Sequence, residues 1–208
     1  MQLIRPPDAC LGPLKKPQHH KDVQYQDLSS FRVPDTFRGK SKVTTQLWWM
    51  VQATLFSWSP QFLFGWRVFL LRLFGAQIGT GVKIRSSVQV TYPWKVKVGD
   101  HVWIGDECVL YSLSNITIGS HVAIAHKVYF NTGGHHYDKL TFDIFGTPVV
   151  IEDECWITND VYVAPGVTIG KGTIVAARSS VLKSLPPGKV CAGTPAKPIK
   201  DREPSTNL

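Results

Sequence analysis

The sequence predicts a mainly β fold, a parallel β-helix of about five coils that follows a short helical segment. Three observations lead to this prediction. An aliphatic side chain recurs at every sixth position over much of residues 78–186. Residues 44–75 differ from the rest, because they hold four of the seven tryptophans. The apolar residues, 43% of the 208, are enough to form a hydrophobic core.

The six-residue period begins at Ile78 and continues through fifteen hexads, with two-residue slips before Val98 and Ile118. The fifth position is also apolar or small in nearly all hexads. A period of six fits neither an α-helix nor a simple meander, but it is typical of a parallel β-helix with three hexads per coil. The first residue of each hexad then points inward, so that stacked coils bury a continuous apolar column. We assign residues 76–187 to this β-helix.

The tryptophan-rich segment, residues 44–75, follows an N-terminal arm (residues 1–43) and predicts two helices of roughly 13–15 residues separated at Pro60. Neither helix is long enough to span a membrane, which takes about 20 apolar residues. Two interpretations stay open. The helices pack on the β-helix or at a subunit contact, or they form an interfacial anchor with Arg67 and Arg72 toward anionic lipid.

The arm lacks the apolar stretch of a signal peptide, so we expect a cytoplasmic protein. If the helices form an anchor, it is peripheral to the inner face of the membrane. The net charge of +8, from 23 Lys and Arg against 15 Asp and Glu, indicates an anionic partner. No recognition helix, paired aromatic motif or long basic run indicates a nucleic acid.

The four cysteines are scattered without a CxxC pair, which argues against a zinc site and against a disulfide framework. Residues 188–208 are rich in Pro, Gly and Lys. For this last segment we expect a basic, strand-poor cap and tail.

The repeat is interrupted between the hexad that starts at Phe130 and the one that starts at Ile151. Insertions in solenoids become loops on one face, where binding sites usually lie. The extended loop at residues 131–150 carries the adjacent pair His135 and His136. Histidine is the side chain best suited to accept a proton near neutral pH, so these two residues are the candidate general bases.

The hexads, the loop TGGHHYD (residues 132–138) and the closing AGTPAKPIK (residues 192–200) resemble the hexapeptide-repeat acyltransferases. Within that family the chain is similar to the maltose, galactoside and nodulation O-acetyltransferases, and most similar to colanic-acid-type exopolysaccharide acetyltransferases, over residues 28–200. The resemblance implies a left-handed β-helix and a homotrimer with active sites between subunits. It also implies direct acetyl transfer from acetyl-CoA to a saccharide hydroxyl, without a metal.

The resemblance further implies roles for individual residues. The family's catalytic His aligns with His135, which makes His135 the general base and His136 the alternative. Tyr111 and Asp138 are further candidate catalytic or substrate-contacting residues, with Asp138 able to orient a loop His. The candidate cofactor-binding residues, which match the family's motif positions along the groove and the basic tail, are Trp156, Asn159, Ala177, Lys183, Lys197 and Lys200.

The stretch before the loop departs from the family pattern, because the Asn that contacts the acceptor in the sugar acetyltransferases has no counterpart in its register. Tyr111 is the nearest polar candidate. The acceptor therefore stays open and includes another small alcohol or an antibiotic, and an acyl group longer than acetyl also stays open. Other functional classes are a non-catalytic scaffold and a carbonic-anhydrase-like metalloenzyme, for which His101, His121 and His126 would have to supply zinc ligands.

Overall fold

The computed structural model describes residues 24–203, so that residues 1–23 of the predicted arm and residues 204–208 of the predicted tail lie outside the described residues. The helical elements are a 3₁₀ turn (Asp35–Arg38), α1 (Lys42–Val51) with a π-helical continuation (Gln52–Phe56), α2 (Phe64–Leu73) and a second 3₁₀ turn (Pro93–Lys95). The strands are β1 (Gln77–Ile78), β2 (Lys83–Ile84), β3 (Gln89–Val90), β4 (Val96–Val98), β5 (Trp103–Ile104), β6 (Val109–Tyr111), β7 (Ile116–Ile118), β8 (Ala123–Ile124), β9 (Tyr129–Asn131), β10 (Gly133–His135), β11 (Ile144–Gly146), β12 (Val149–Ile151), β13 (Trp156–Ile157), β14 (Tyr162–Val163), β15 (Thr168–Ile169), β16 (Ile174–Val175), β17 (Ser180–Val181), β18 (Lys189–Gly193) and β19 (Ala196–Asp201).

Three sheets form the faces of a prism. Sheet A has the order β1-β4-β7-β12-β15, sheet B the order β19-β18-β16-β13-β8-β5-β2, and sheet C the order β17-β14-β9-β6-β3. Consecutive strands of the chain fall in successive sheets, and neighbours within a sheet are parallel except for β18 and β19. The chain therefore completes five coils, as predicted, and begins a sixth at Leu185, which pairs with Ile169.

The first residue of each hexad is buried, which confirms the predicted inward column. The column consists of Ile78, Ile84, Val90, Val98, Ile104, Leu110, Ile118, Ile124, Phe130, Ile151, Ile157, Val163, Ile169, Val175 and Val181. The early coils are 20 residues long, since Gln77 pairs with Lys97 and Lys97 with Thr117. The first of the two-residue slips coincides with the 3₁₀ turn Pro93–Lys95.

The tryptophan-rich segment forms two helical stretches with turns at residues 57–63, on both sides of Pro60. Ser41 caps α1 by accepting a hydrogen bond from the Thr44 N–H at 3.1 Å. The second helix is ten residues long, shorter than predicted, because the turn takes up residues that the pattern assigns to it. Whether the arm, the helices and the β-helix fold as separate units stays a prediction.

The helices cover the first coil, whose backbone groups would otherwise form an unpaired edge. Each of its strands contributes a carbonyl to a helix side chain. Trp48 donates to Val90 O at 2.7 Å, Arg67 to Ile84 O at 2.6 Å, and Arg72 to Ile78 O at 2.7 Å. The helical segment is thus packed on the end of the prism, as the first interpretation of this segment predicts.

The orientation predicted for Arg67 in the anchor interpretation is wrong, whereas Arg72 is exposed and its predicted orientation stays a prediction. Arg67 is fully buried, and besides Ile84 O its guanidinium contacts the Ser59 hydroxyl and the Pro60 and Gln61 carbonyls at 2.6–2.8 Å. The break at Pro60 frees these carbonyls, and the five N–H groups of a guanidinium can satisfy several at once. Within residues 24–203, no helix is long and apolar enough to span a membrane.

The C-terminal segment contains more strand than predicted. β18 and β19 form an antiparallel hairpin at the edge of sheet B, joined by a tight turn at Thr194 and Pro195. Pro198 lies within β19, where its missing N–H is tolerated because β19 has no further neighbour. The prediction of a strand-poor cap failed because it treated proline as evidence against every strand, including edge strands.

Candidate active site

The insertion after β9 forms a β-hairpin at the corner between sheets C and A. β10 and β11 pair antiparallel, with Gly133 opposite Gly146 and His135 opposite Ile144. The Thr147 N–H donates to Thr132 O at 2.8 Å and closes the base of the hairpin. His135 therefore lies on the ordered strand of a hairpin that projects from the prism.

Two residues fix the base of the hairpin to the preceding coil. The buried Thr132 hydroxyl donates to Tyr111 O at 2.7 Å and accepts from the Ser114 N–H at 2.8 Å. A Cβ on Gly133 would lie 2.5 Å from Leu113 Cδ1, so only glycine permits this close approach. These contacts position the neighbouring His135 relative to the prism.

The protonation of the His135 ring follows from its hydrogen-bond partner. His135 Nδ1 lies 2.8 Å from the carbonyl oxygen of Phe142. A carbonyl can only accept, so Nδ1 carries the proton and the neutral ring has its lone pair on Nε2. Phe142 has a φ of 50°, a left-handed backbone conformation at the turn that leads into β11. The backbone at the hairpin tip thus selects the tautomer that a general base requires.

Two aromatic rings hold the His135 imidazole. The Phe142 ring stacks on it almost parallel, with ring centroids 4.3 Å apart and an interplanar angle of 6°. The Phe31 ring meets it edge-on at 5.4 Å. Phe31 belongs to the segment before α1, and that segment also contacts the hairpin through the Asp27 N–H, which donates to Leu140 O at 2.7 Å. The imidazole is therefore restrained by a stacked ring, by an edge-on ring and through Nδ1.

His136 follows the end of β10, and its side chain has contacts different from those of His135. Its ring lies 5.1 Å from that of Phe145, and its Nδ1 is 4.0 Å from an oxygen of the exposed Asp138. Asp138 does not orient the His135 ring, whose Nδ1 instead contacts the backbone carbonyl of Phe142. Among the two histidines, only His135 has a hydrogen-bond partner that defines its tautomer.

Tyr111 lies beside the base of the hairpin, directly opposite Asn131 in the neighbouring coil. Its half-buried ring is 6.1 Å from that of Tyr129. Asn131, four residues before His135, donates to the Tyr162 hydroxyl at 2.9 Å and accepts from the Gly133 N–H at 3.0 Å. The amide of Asn131 is thus used to hold the hairpin base, and Tyr111 stays a candidate for the acceptor contact.

Three of the candidate cofactor-binding residues lie on sheet B or at its corner with sheet C. Trp156, 48% exposed, projects from β13. Asn159 and Ala177 are exposed at the same corner of successive coils, and the Asn159 side chain accepts from the His126 N–H at 3.3 Å. This corner lies where sheet B meets sheet C, whereas the His135 hairpin lies where sheet C meets sheet A. The two are therefore at opposite ends of the strands of sheet C. A single chain therefore does not bring these residues together.

The candidate lysines lie in two different places on the prism. Lys197 and Lys200 are exposed on β19, at the edge of sheet B, and neither forms an ion pair with a residue that the structure describes. Lys183 is exposed at the corner between sheets C and A, two coils beyond the hairpin, which is about 10 Å along the axis at the spacing of adjacent strands.

Other nucleophiles and metal ligands fit the site poorly. Burial raises the pKa of the Cys108 and Cys155 thiols to about 11, so neither is a thiolate at neutral pH. His101 and His121 stack at 5.1 Å at one corner, whereas His126 lies at another. Over residues 24–203, no three His, Cys, Asp or Glu side chains form a group that could hold a metal ion.

Comparison with known proteins identifies the family. The model for the bacterial transferase hexapeptide (six repeats) matches residues 148–183. The putative colanic acid biosynthesis acetyltransferase WcaF of Escherichia coli (strain K12) is 58% identical over 177 residues, which are 85% of this chain and 97% of WcaF. The chain belongs to the hexapeptide-repeat acetyltransferases. The family, the enzyme class and the acetyltransferase activity predicted from the sequence are thereby confirmed.

Two solved structures of the family share the fold. A hexapeptide-repeat acetyltransferase from Vibrio cholerae, complexed with acetyl-CoA, has a TM-score of 0.71 and 27% identity over 78% of this chain and 89% of its own. A maltose O-acetyltransferase from Clostridium difficile 630 has a TM-score of 0.68 and 27% identity over 79% and 90%. The predicted left-handed parallel β-helix is thus confirmed for this acetyltransferase.

Some residues of the site were not predicted from the sequence. Phe142 acts through its backbone carbonyl, and a backbone group leaves no signal in the residue type. Phe31 lies in a segment without repeats, over 100 positions from His135. Thr132 could have been noticed, because a small hydroxyl at the root of an insertion often satisfies backbone groups there.

Proposed function

We propose that this acetyltransferase moves an acetyl group from acetyl-CoA to a hydroxyl of a saccharide in exopolysaccharide biosynthesis, with His135 as the general base. The observation that carries the proposal is the hydrogen bond between His135 Nδ1 and Phe142 O. It leaves Nε2 as the free acceptor on a ring held between two aromatic side chains. The saccharide class follows from the similarity to WcaF, whose name assigns it to colanic acid biosynthesis.

The reaction needs two proton transfers, one to His135 and one from it. His135 Nε2 accepts the proton of the sugar hydroxyl as its oxygen attacks the thioester carbonyl. The tetrahedral intermediate then collapses, the C–S bond breaks, and the imidazolium returns the proton to the departing sulfur. The CoA thiolate is a good leaving group, so no covalent acyl-enzyme is required. The high pKa of the buried cysteine thiols agrees with direct transfer.

The exposed candidate residues on sheet B and at its corner with sheet C have the chemistry to bind a CoA molecule. Trp156 offers an exposed aromatic face, and the small Ala177 leaves room for the pantetheine chain beside the backbone. Lys197 and Lys200 are exposed cations without ion-pair partners among the described residues and would complement the CoA phosphates. The Asn159 side chain already accepts a hydrogen bond from the His126 N–H of the preceding coil, so we assign Asn159 a positioning role at this corner.

Trp156 and Ala177 of one chain lie on sheet B or at its corner with sheet C, whereas His135 lies at the corner between sheets C and A, which supports a homotrimer with active sites between neighbouring prisms. In a closed ring of three, the His135 corner of one subunit can face the Trp156 corner of the next. Each site then takes its base from one chain and most of its CoA contacts from another. The three sites of the trimer are equivalent by symmetry.

A CoA-release assay over a panel of acceptors tests the proposed function. We expect acetyl-CoA to be consumed with oligosaccharides or membrane glycolipid extract, and the saccharide to gain an alkali-labile acetyl ester. Aminoglycosides and simple alcohols should give rates near that of hydrolysis in the absence of acceptor. Transfer confined to a non-saccharide alcohol, or hydrolysis without transfer, would show that the saccharide assignment is wrong.

We also propose that the outer face of the helical segment contacts an anionic membrane surface. Large apolar side chains are exposed there and form an apolar ridge: Leu47, Met50, Leu55, Trp58, Phe62, Phe69 and Leu73. Trp58 and Phe62 are 83% and 77% exposed. Several large apolar side chains exposed on one helical segment are typical of a surface that is covered in the functional state. The exposed Lys40 and Lys42 at the start of α1 complement anionic headgroups.

Vesicle flotation tests this contact. The wild-type protein should float with vesicles that contain phosphatidylglycerol, and the double variant Trp58→Ser/Phe62→Ser should bind about 10- to 100-fold more weakly, since two aromatic side chains lose their burial. Trp103→Ser, which removes an exposed Trp from the prism, is the matched control and should bind normally. If the double variant instead dissociates the trimer and the wild type does not float, the ridge is a subunit contact.

A further inference from the structure

The outer face of sheet B carries two exposed tryptophans that flank a small residue. Trp103 on β5 and Trp156 on β13 both pair directly with Ala123 on β8, so the three side chains form one row across neighbouring strands. The two tryptophans are 58% and 48% exposed. Because adjacent strands are about 5 Å apart, the row contains a notch at Ala123 between two tryptophans on strands about 10 Å apart.

Trp103 borders open space on the prism surface. It lines a cleft of about 500 Å³ together with Ala123, and it lines a second cleft of about 250 Å³ together with Phe64 at the start of α2. Lys83 is the next residue of the row, and its ammonium lies 5.0 Å from the centroid of the Trp103 ring. This cation–π contact covers one face of the indole and leaves the other face available to a ligand.

The notch lies at the height of the catalytic hairpin. Ala123 belongs to β8 of the third coil, and the hairpin with His135 follows β9 of the same coil. In a ring of three prisms that stand side by side, rotation about an axis parallel to the prisms keeps each coil at its own height. The hairpin of one subunit then meets sheet B of the next near Ala123, with Trp156 one strand beyond it and Trp103 one strand before it.

We propose that Trp103 stacks against the sugar ring of the acceptor, so that the acceptor and CoA approach the base from the two sides of the notch. The inference rests on the proposed function, in which CoA lies against Trp156, and adds the residue that binds the acceptor ring. In a direct transfer the hydroxyl and the thioester must meet within reach of one base, so they approach it from different directions. The face of a pyranose ring exposes C–H groups, which pack on the electron-rich face of an indole.

Kinetics with ring and open-chain acceptors tests the inference. The probes are methyl hexopyranosides and the alditols of the same hexoses, which carry similar hydroxyls but have no ring face. For the wild-type enzyme, kcat/KM should be about 10- to 100-fold higher with the pyranoside, since only the ring can cover the indole. Trp103→Ala should remove this preference by raising the KM for the pyranoside, whereas Trp103→Tyr, which keeps an aromatic face, should retain most of it.

Two further variants provide the controls. Trp156→Ala should show the opposite pattern, a raised KM for acetyl-CoA with an unchanged preference for the ring. Lys97→Gln removes an exposed side chain from β4, which belongs to the same coil as Trp103 but to sheet A, and it should leave all values unchanged. These controls separate the loss of an acceptor contact from a general loss of activity.

Three outcomes would overturn the inference. The first is a wild-type enzyme with equal kcat/KM values for the pyranoside and the alditol. The second is a Trp103→Ala enzyme that keeps the preference for the ring. The third is dissociation of the trimer by Trp103→Ala in sedimentation equilibrium, which would make Trp103 a subunit contact. Absence of transfer to any saccharide by the wild type would contradict the proposed function itself, and the inference with it.

Discussion

Replacement of His135 by Ala should lower kcat about 100- to 10,000-fold, the usual contribution of a positioned general base. The KM for acetyl-CoA should change little, because the candidate CoA contacts, Trp156, Lys197 and Lys200, are unchanged in this variant. The thermal unfolding midpoint should also be close to that of the wild type, since the half-buried ring is held by contacts within the hairpin. CoA release in the presence of a saccharide acceptor measures kcat, and circular dichroism verifies the fold.

Two controls separate this prediction from its alternatives. His136→Ala should keep kcat within about 3-fold, because its ring contacts Phe145 and has no backbone carbonyl that sets its tautomer; a loss as large as that of His135→Ala would reverse the assignment. Co-refolded His135→Ala and Trp156→Ala chains should regain about a quarter of the wild-type sites if base and cofactor residues come from different subunits. No recovery would contradict sites shared between prisms.

Replacement of Arg67 by Met should destabilise the protein by about 3–5 kcal/mol. The change removes the guanidinium that satisfies the buried Ile84 O and three part-buried acceptors, the Ser59 hydroxyl, Pro60 O and Gln61 O. A buried acceptor left unpaired costs about 1–3 kcal/mol, and part-buried acceptors cost less because water can reach them. The unfolding midpoint should fall by roughly 10 °C, measured by calorimetry at equal protein concentration, because the stability of an oligomer depends on concentration.

Arg178→Met is the matched control for this prediction. Arg178 is 85% exposed at a coil corner and approaches Asp160 at 3.5 Å, so its loss should change stability by less than about 0.5 kcal/mol. Arg67→Lys should fall between the two, because an ammonium keeps the charge but cannot reach all four acceptors. An Arg67→Met protein with wild-type stability would mean that the helices do not depend on this contact to cover the first coil.

The β-helix could be predicted from the sequence because its period is a geometric requirement. Positions such as Ile104, Ile124 and Ile157 must point inward once in every turn through sheet B, and a one-residue shift would expose the whole column. The insertion could also be predicted from the sequence, because it interrupts the six-residue period. The candidate His135 followed from the insertion and from the resemblance, and the structure added the contact with Phe142 O on which our proposal for His135 rests.

The remaining features depend on contacts that residue types do not encode. The tautomer of His135 is set by a backbone carbonyl, that of Phe142, a residue with a left-handed φ at the turn before β11. Arg67 on an apolar helix has two physically sensible environments, a lipid headgroup or a set of buried carbonyls. The choice between them depends on how the chain folds at Pro60. The segment before α1 has no repeats, so its packing on the prism through Trp94 and Lys95 could not be predicted from a periodic pattern.

The tautomer of His135 is the most direct test of the general-base assignment. Long-range ¹H–¹⁵N NMR on histidine-labelled protein, with His135→Gln to assign the resonance, reports which ring nitrogen is protonated when the imidazole is neutral. The hydrogen bond to Phe142 O predicts a proton on Nδ1 and an unprotonated Nε2. A neutral ring with its proton on Nε2 would contradict the account, because that nitrogen could not then accept the proton of the acceptor hydroxyl.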